Sequence, residues 1–241
     1  MFYFPMAGLS SRFTNAGYNK PKYYLDVGDG MNLFQASLKG FSRYFEQDGF
    51  CFIYLDSVIN AETIHSWAAQ IGLPASNCAT VRLSEPTQGQ ADTVRRGILE
   101  TITASDDEVV IFNIDTIYHD FAKPEGGPDN YLDVTEMLGD HWSFVDADPT
   151  EPGVVRRVVE KQRISSMCSV GLYGFRSTDL FLNVHTRHYA RSHGEREEFV
   201  APMYQALIDA GEQVRYRSMP RQQFDFLGTP HEYQDYLASQ S

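Results

Sequence analysis

Short apolar runs alternate along the chain with longer stretches in which apolar residues recur every three to four positions. Phe2–Met6 predicts a strand, 33–45 a helix and Phe50–Leu55 a second strand. Asn60 is placed to cap a helix over 60–71, because its side-chain oxygen can take up an unpaired first-turn N–H. A strand over 79–83, a helix over 91–102 and a largely apolar strand over 109–114 follow. Apolar runs without alternation indicate burial on both faces, as in a parallel sheet covered by helices. The first half therefore predicts a doubly wound β-α-β series.

The second half is patterned differently. Strand-like pieces fall at 142–146, 154–160, 170–175, 214–218 and 224–227, with helices over 178–190 and 199–210 and a last one after Thr229-Pro230. The stretch 123–130 (KPEGGPDN) reads as a long loop. The expected architecture is α/β: a Rossmann-like mixed sheet flanked by helices, in a single domain spanning 1–241. Its nucleotide-binding half would cover 1–120 and an acceptor-binding lobe 121–241.

Bulk composition narrows the function. The 241 residues carry a net charge of −12 and 42% hydrophobic residues, an ordinary globular composition. A nucleic-acid binder needs a cationic stripe to displace phosphate counterions, and this acidic chain has none. Cys51, Cys78 and Cys168 are odd in number and widely spaced, which suits reduced thiols better than a disulfide framework; Cys51 and Cys168 sit in or beside apolar runs and are expected in the core. No window approaches a membrane span and no targeting segment opens the chain, so a soluble, cytoplasmic protein is expected. A homo-oligomer is compatible with the sequence, which leaves the oligomeric state open.

Candidate chemistry starts where the first strand stops. Ligands of open parallel sheets bind beyond the C-terminal strand ends, and the loop Ala7-Gly8-Leu9-Ser10-Ser11-Arg12 leaves such an end. Gly8 allows close backbone approach, successive N–H groups can cradle phosphate oxygens, and Arg12 and Lys22 supply cations. A plain turn with solvated cations is the competing reading of the loop alone. Asp115 stands at the end of an apolar strand, where a hard oxygen ligand could reach Mg²⁺. His185, His188 and His193 lack the pattern of a metal site, and a solvated helix face accounts for them better. The 16 Phe and 14 Tyr are expected to fill the core.

Six motifs then occur in a recognisable order. Gly8-Leu9-Ser10-Ser11-Arg12-Phe13 with Pro21-Lys22 resembles the G-x-G-x-R…P-K signature of the sugar nucleotidyltransferases (nucleotide-sugar pyrophosphorylases), with Ser10 in place of the second glycine. Pro86-Thr87-Gln88-Gly89-Gln90-Ala91 resembles that family's base-reading turn, and Phe112-Asn113-Ile114-Asp115 its strand-end metal aspartate. Val159-Glu160-Lys161, Gly171-Leu172-Tyr173-Gly174-Phe175 and Leu227-Gly228-Thr229-Pro230 resemble its V-x-E-K, G-x-Y-x-F and D-x-G-T-P. The opening stretch looks most like members serving bacterial capsule and surface-polysaccharide synthesis.

The resemblance implies an Mg²⁺-dependent nucleotidyltransferase acting on a nucleoside triphosphate and a phosphorylated small-molecule acceptor, with no nucleic acid or membrane partner. It implies nucleotide contacts from Ala7, Gly8, Leu9, Ser10, Ser11, Gln88 and Gly89. Arg12 would neutralise the departing pyrophosphate, and Lys22 would sit near the α-phosphate. Asp115 would hold the metal. The family's second metal aspartate falls at Phe226, so Asp225, one residue earlier, serves only if a local bulge re-aims it. Acceptor contacts are implied for Gly153, Glu160, Lys161 and Ser169. As strand neighbours Glu160 and Lys161 point to opposite faces. Ser169 stands where the family places a sugar-holding Asn, which implies an acceptor other than an ordinary hexose 1-phosphate.

Two other functions compete. A glycosyltransferase of related fold usually carries D-x-D, whereas this chain has Asn113-Ile114-Asp115. A catalytically silent nucleotide or sugar-phosphate sensor is favoured by Phe226 and Ser169 and opposed by Arg12, Lys22 and Asp115.

Overall fold

The computed structural model of the chain describes residues 1–101, 104–190 and 197–240. In chain order the first elements are β1 (Phe2–Met6), α1 (Ser11–Asn15), α2 (Leu33–Lys39), β2 (Phe50–Leu55), α3 (Ala61–Gln70) and β3 (Cys78–Leu83). Then come α4 (Gln90–Glu100), β4 (Val109–Phe112), β5 (Thr116–Tyr118), β6 (Tyr131–Glu136), β7 (Ser143–Ala147), β8 (Val155–Glu160) and β9 (Met167–Phe175). The chain closes with α5 (Thr178–Tyr189), α6 (Ala201–Asp209), β10 (Arg215–Ser218), β11 (Phe224–Phe226) and α7 (Pro230–Ser239). This is the mixed α/β fold that the periodicity predicts. Two compact units interleave along the sequence. One comprises Phe2–Thr87, Asn113–Lys123 and Gln222–Ser241, the other Met1, Gln88–Phe112 and Pro124–Arg221.

In the unit that contains the N-terminal strand, β1, β2 and β3 pair in parallel, Phe2 opposite Phe50 and Phe50 opposite Cys78. The β2 side chains are all buried, as an apolar run without alternation requires. Aromatic rings fill the space between strands and helices: Phe2 stacks on Phe50 at 4.8 Å, and Phe34 of α2 meets Phe52 at 5.1 Å. Asn60 Oδ1 accepts the Thr63 N–H at 2.8 Å and starts α3, as expected. Helix α2 is shorter than the predicted 33–45; it stops at Lys39, and a separate single turn covers Ser42–Tyr44. The short strands β5 and β11 form their own antiparallel pair, Thr116 opposite Phe226 and Ile117 opposite Asp225.

The other unit is built mainly on antiparallel pairing. Its strands run β10-β6-β9-β4, and β7 joins both β8 and β9. Strand β4 is fully buried and pairs antiparallel with β9. Strands β10 and β6 pair in parallel. Strand β6 escapes the sequence pattern because Asp133 interrupts its apolar run. Asp133 is nonetheless fully buried, since Arg217 of β10 donates to both of its oxygens at 2.6 Å. Helix α4 ends at Glu100; residue 102, the end of the predicted helix, lies outside the described residues.

Candidate functional site

The loop after β1 is held open by what lies beneath it. Ala7 is buried, Gly8, Leu9, Ser11 and Arg12 are exposed, and Ser10 is half-buried. Phe13 drops into a cluster with Leu25, Leu33, Ile117, Leu227 and Tyr233, which ties the loop to the 22–25 turn, β5 and the start of α7. The left-handed position is Ser10 (φ 53°), not Gly8, around which an added Cβ would meet nothing within 4 Å. Ser10 is the position where the resembling signature carries its second glycine, so the backbone keeps a glycine-like conformation under a serine. Tyr23 fastens the base of the loop by donating its buried hydroxyl to the Met6 carbonyl at 2.8 Å. Burial, and then the charge of Asp115, push the Tyr23 phenol far above its ordinary range, so it stays protonated and keeps its proton for this bond.

The single turn at Lys22–Tyr24 presents Lys22 toward β5. Its ammonium lies 2.7 Å from Asp115 Oδ2, with both side chains partly buried. The structure thus brings together the loop, the Pro21-Lys22 turn and the strand-end aspartate. Asp225 is engaged by a different partner. The bulge that would re-aim it is absent: β11 pairs with β5 in regular register, and the Asp225 carboxylate lies 2.8 Å from His119 Nε2. A cavity of about 660 Å³ adjoins Asp225 and His119, with Gly28, Lys39 and Tyr236 among its lining residues.

Asp115 is the carboxylate that would hold a divalent cation at this loop. A cationic ammonium already sits on its carboxylate, and the facing Cα, that of Gly228, carries no side chain; a Cβ there would come within 3.3 Å of Asp115 Oδ2. Among the described residues no three His, Cys, Asp or Glu side chains converge as a metal cage. Mg²⁺ is commonly held by one or two carboxylates and completed by substrate phosphates and water.

In the other unit, Gln88 and Gly89 form the turn that starts α4. The Gln88 N–H donates to Asp92 Oδ2 at 3.2 Å, and its carbonyl accepts the Glu198 N–H at 2.9 Å. Gly89 has φ 152°, and a Cβ there would lie 2.6 Å from Glu198 N and O, so only glycine lets the two segments touch. Asp92 is buried beneath this turn. Burial opposes its charge, but bonds from Arg96 and Arg95 prevail and hold its carboxyl below the usual range.

Those two guanidinium groups reach Asp92 from one and the same helix face, at 2.9 Å each, and keep it ionised below the turn. His185, expected on a solvated helix face, is instead buried and lies 2.8 Å from Glu198 Oε2; burial, reinforced by the Arg95 charge, lowers it to about 4. His188 is exposed as expected, and His193 lies outside the described residues.

The acceptor-side candidates sit at the ends of β8 and β9. Strand alternation breaks at Lys161, whose φ of 55° ends β8 and turns its ammonium back to 3.9 Å from Glu160 Oε1 and 4.0 Å from Glu197 Oε2. The two neighbours thus face one another, against the expectation from an unbroken strand. Lys161 also lies 4.1 Å from the centre of the Phe199 ring. Glu160 accepts a bond from the Ser143 hydroxyl, and burial raises its carboxyl above the ordinary range. The Ser169 hydroxyl, buried in β9, accepts the Gly171 N–H at 3.2 Å. Gly153 (φ 81°) makes the turn before β8, and its carbonyl accepts the Tyr216 N–H. The pairs His119–Asp225 and His185–Glu198 carry no sequence signal, because their partners are 106 and 13 residues apart and obey no motif spacing.

No family model and no curated protein matches the chain. Solved structures do. The nucleoside-diphosphate-sugar pyrophosphorylase from Vibrio cholerae RC9 superposes with a TM-score of 0.91 at 35% identity, over 99% of this chain and 100% of that one. A putative glucose-1-phosphate thymidylyltransferase from Bacillus anthracis gives 0.75 at 14% identity, over 99% and 93%. The inositol-1-phosphate CTP transferase from T. maritima gives 0.73 at 11%, over 98% and 94%. The last two share the fold.

Proposed function

The chain belongs to the nucleoside-diphosphate-sugar pyrophosphorylases, a family of sugar nucleotidyltransferases, and on that premise we propose that it transfers a nucleoside monophosphate from a nucleoside triphosphate to a phosphorylated sugar or similar small molecule. A phosphate oxygen of the acceptor forms a bond to the α-phosphorus, the bond from that phosphorus to the bridging oxygen breaks, and pyrophosphate leaves. The observation that carries this reading is the Lys22–Asp115 contact at 2.7 Å beside the loop that ends β1. It supports a site that holds charged phosphates by position and electrostatics, with no covalent nucleophile.

In this reading the backbone from Ala7 to Ser11 receives the triphosphate. Exposed Arg12 offers its fork to the leaving pyrophosphate, and Lys22 lowers the cost of charge gathering at the α-phosphate. Asp115 would hold Mg²⁺, whose chemistry when bound is to neutralise phosphate charge. Gln88 and Gly89 serve the base, and Glu160, Lys161, Ser169 and Gly153 serve the acceptor. Resemblance of the opening stretch Pro5–Phe13 to capsule-associated members supports a role in supplying activated sugar for surface-polysaccharide assembly in the cytoplasm.

A matrix of the four nucleoside triphosphates against a panel of phosphorylated acceptors, with and without chelator, tests the proposal through pyrophosphate release. Release should occur for one preferred pair and stop in chelator. Tight nucleotide binding with no release from any pair would identify a silent sensor instead.

A further inference from the structure

Resting on the transferase reading above, we propose that Glu232, rather than Asp225, supplies the second carboxylate of the cation site at Asp115. The position where the resembling signature carries its second aspartate is Phe226, which is only 8% exposed and pairs with Thr116. Its neighbour Asp225 stands opposite Ile117 in a regular ladder and is engaged by His119. A strand places successive side chains on opposite faces, so the one-residue shift takes this carboxylate away from the face that Phe226 uses.

The chain beyond β11 returns a carboxylate to Asp115 by another route. The Leu227 N–H donates to the Asp115 carbonyl at 2.8 Å, which lays Gly228 against the aspartate. A Cβ built on Gly228 would lie 3.3 Å from Asp115 Oδ2 and 3.6 Å from Glu232 Oε2. Both carboxylates therefore stand within contact reach of the position that a side chain on Gly228 would take. Glu232 is fixed in that direction by the cap of α7: its N–H donates to Thr229 Oγ1 at 3.2 Å, and the Thr229 hydroxyl donates to Glu232 Oε2 at 2.9 Å. Asp115 already holds a cation, the Lys22 ammonium. Two hard oxygen donors beside this glycine, with phosphate and water completing the shell, form a donor set that Mg²⁺ and Mn²⁺ accept.

Titration of the full-length protein with Mn²⁺, followed by the paramagnetic resonance signal of free Mn²⁺, tests the assignment without reference to turnover. Glu232→Gln keeps the acceptor for Thr229 but loses the charge, and it should weaken Mn²⁺ binding at least about tenfold, since even outer-shell partners of a metal are commonly worth that much. Asp115→Asn should weaken it similarly, Gly228→Ala should weaken it by adding a side chain at that position, and Asp225→Asn should bind as the unaltered protein does. Glu232→Asp, which keeps the charge on a shorter arm, should fall between. Unchanged melting midpoints identify the loss as one of ligation; if Glu232→Gln fails to fold, Gly228→Ala and Glu232→Asp decide. Unaltered Mn²⁺ affinity in the Glu232 variants, or a loss in Asp225→Asn equal to that in Asp115→Asn, overturns the assignment and leaves the transferase reading standing. Absence of Mn²⁺ uptake by the unaltered protein overturns the cation site itself, whereas the pyrophosphate-release matrix judges the transferase separately.

Discussion

Lys22 and Asp115, 93 residues apart in sequence, meet at 2.7 Å with 18% and 24% of their side chains exposed. A pair so placed is screened less than a surface ion pair, and each partner has the other as its nearest counter-charge. Lys22→Gln and exposed Arg12→Ala should each lower turnover about 10²–10³-fold, the usual worth of one electrostatic donor in a transition state. They should differ in stability: Arg12→Ala leaves the melting midpoint unchanged, and Lys22→Gln lowers it by leaving Asp115 unpaired. Pyrophosphate release and thermal melting together check both.

Ser10 holds a left-handed backbone, φ 53°, that costs a non-glycine residue roughly 1 kcal/mol. Ser10→Gly should therefore raise stability by up to about 1 kcal/mol and retain activity. Ser10→Val, with a branched side chain ill suited to that region, should lower both. Urea unfolding and steady-state kinetics distinguish the two variants.

Gly89→Ala should destabilise the protein by roughly 2 kcal/mol or more, because the added Cβ lands 2.6 Å from Glu198 backbone atoms at a φ that L-residues avoid. Gly8→Ala is the control: its Cβ meets nothing within 4 Å, and stability should stay within about 0.5 kcal/mol. Equal unfolding midpoints for the two variants would refute the tight turn at Gly89.

His185 has its pKa lowered to about 4 by burial and then by Arg95, so between that value and the ordinary imidazole range the unfolded chain binds a proton that the folded one rejects. Stability contributed by the neutral imidazole is present at neutral pH and lost as pH falls through this window. Glu198, raised by burial, has the opposite slope, which makes the comparison of variants the informative quantity. His185→Gln should lose on the order of 2 kcal/mol less than the unaltered protein between about pH 6.5 and 4. Identical slopes in urea unfolding across that range would remove His185 from the acid response.

Ser169 already takes the Gly171 N–H, so its hydroxyl is shorter than an amide and has one acceptor position occupied. Glucose 1-phosphate should be a poor acceptor, and Ser169→Asn should lower kcat/KM for the preferred one. Efficient turnover of glucose 1-phosphate, unsurpassed by any other acceptor, would show that this position does not select the acceptor.

Much of this protein is legible in the one-dimensional sequence, where the cause is local. Apolar runs without alternation announced β1 and β2, Asn60 announced the helix it caps, Thr229-Pro230 announced the start of the last helix, and the ordered motifs announced the family, because each depends on residues a few positions apart. What tertiary structure alone decided was every feature made by distant partners. Asp133 could enter a strand only because Arg217 neutralises it, and the antiparallel partner that β9 makes for β4 is a fact that burial does not encode. The same holds at the candidate site. Whether Asp225 or Glu232 turns toward Asp115 depends on the register of β11 against β5 and on the first turn of α7, and a side-chain direction in a strand changes face with a single residue of register.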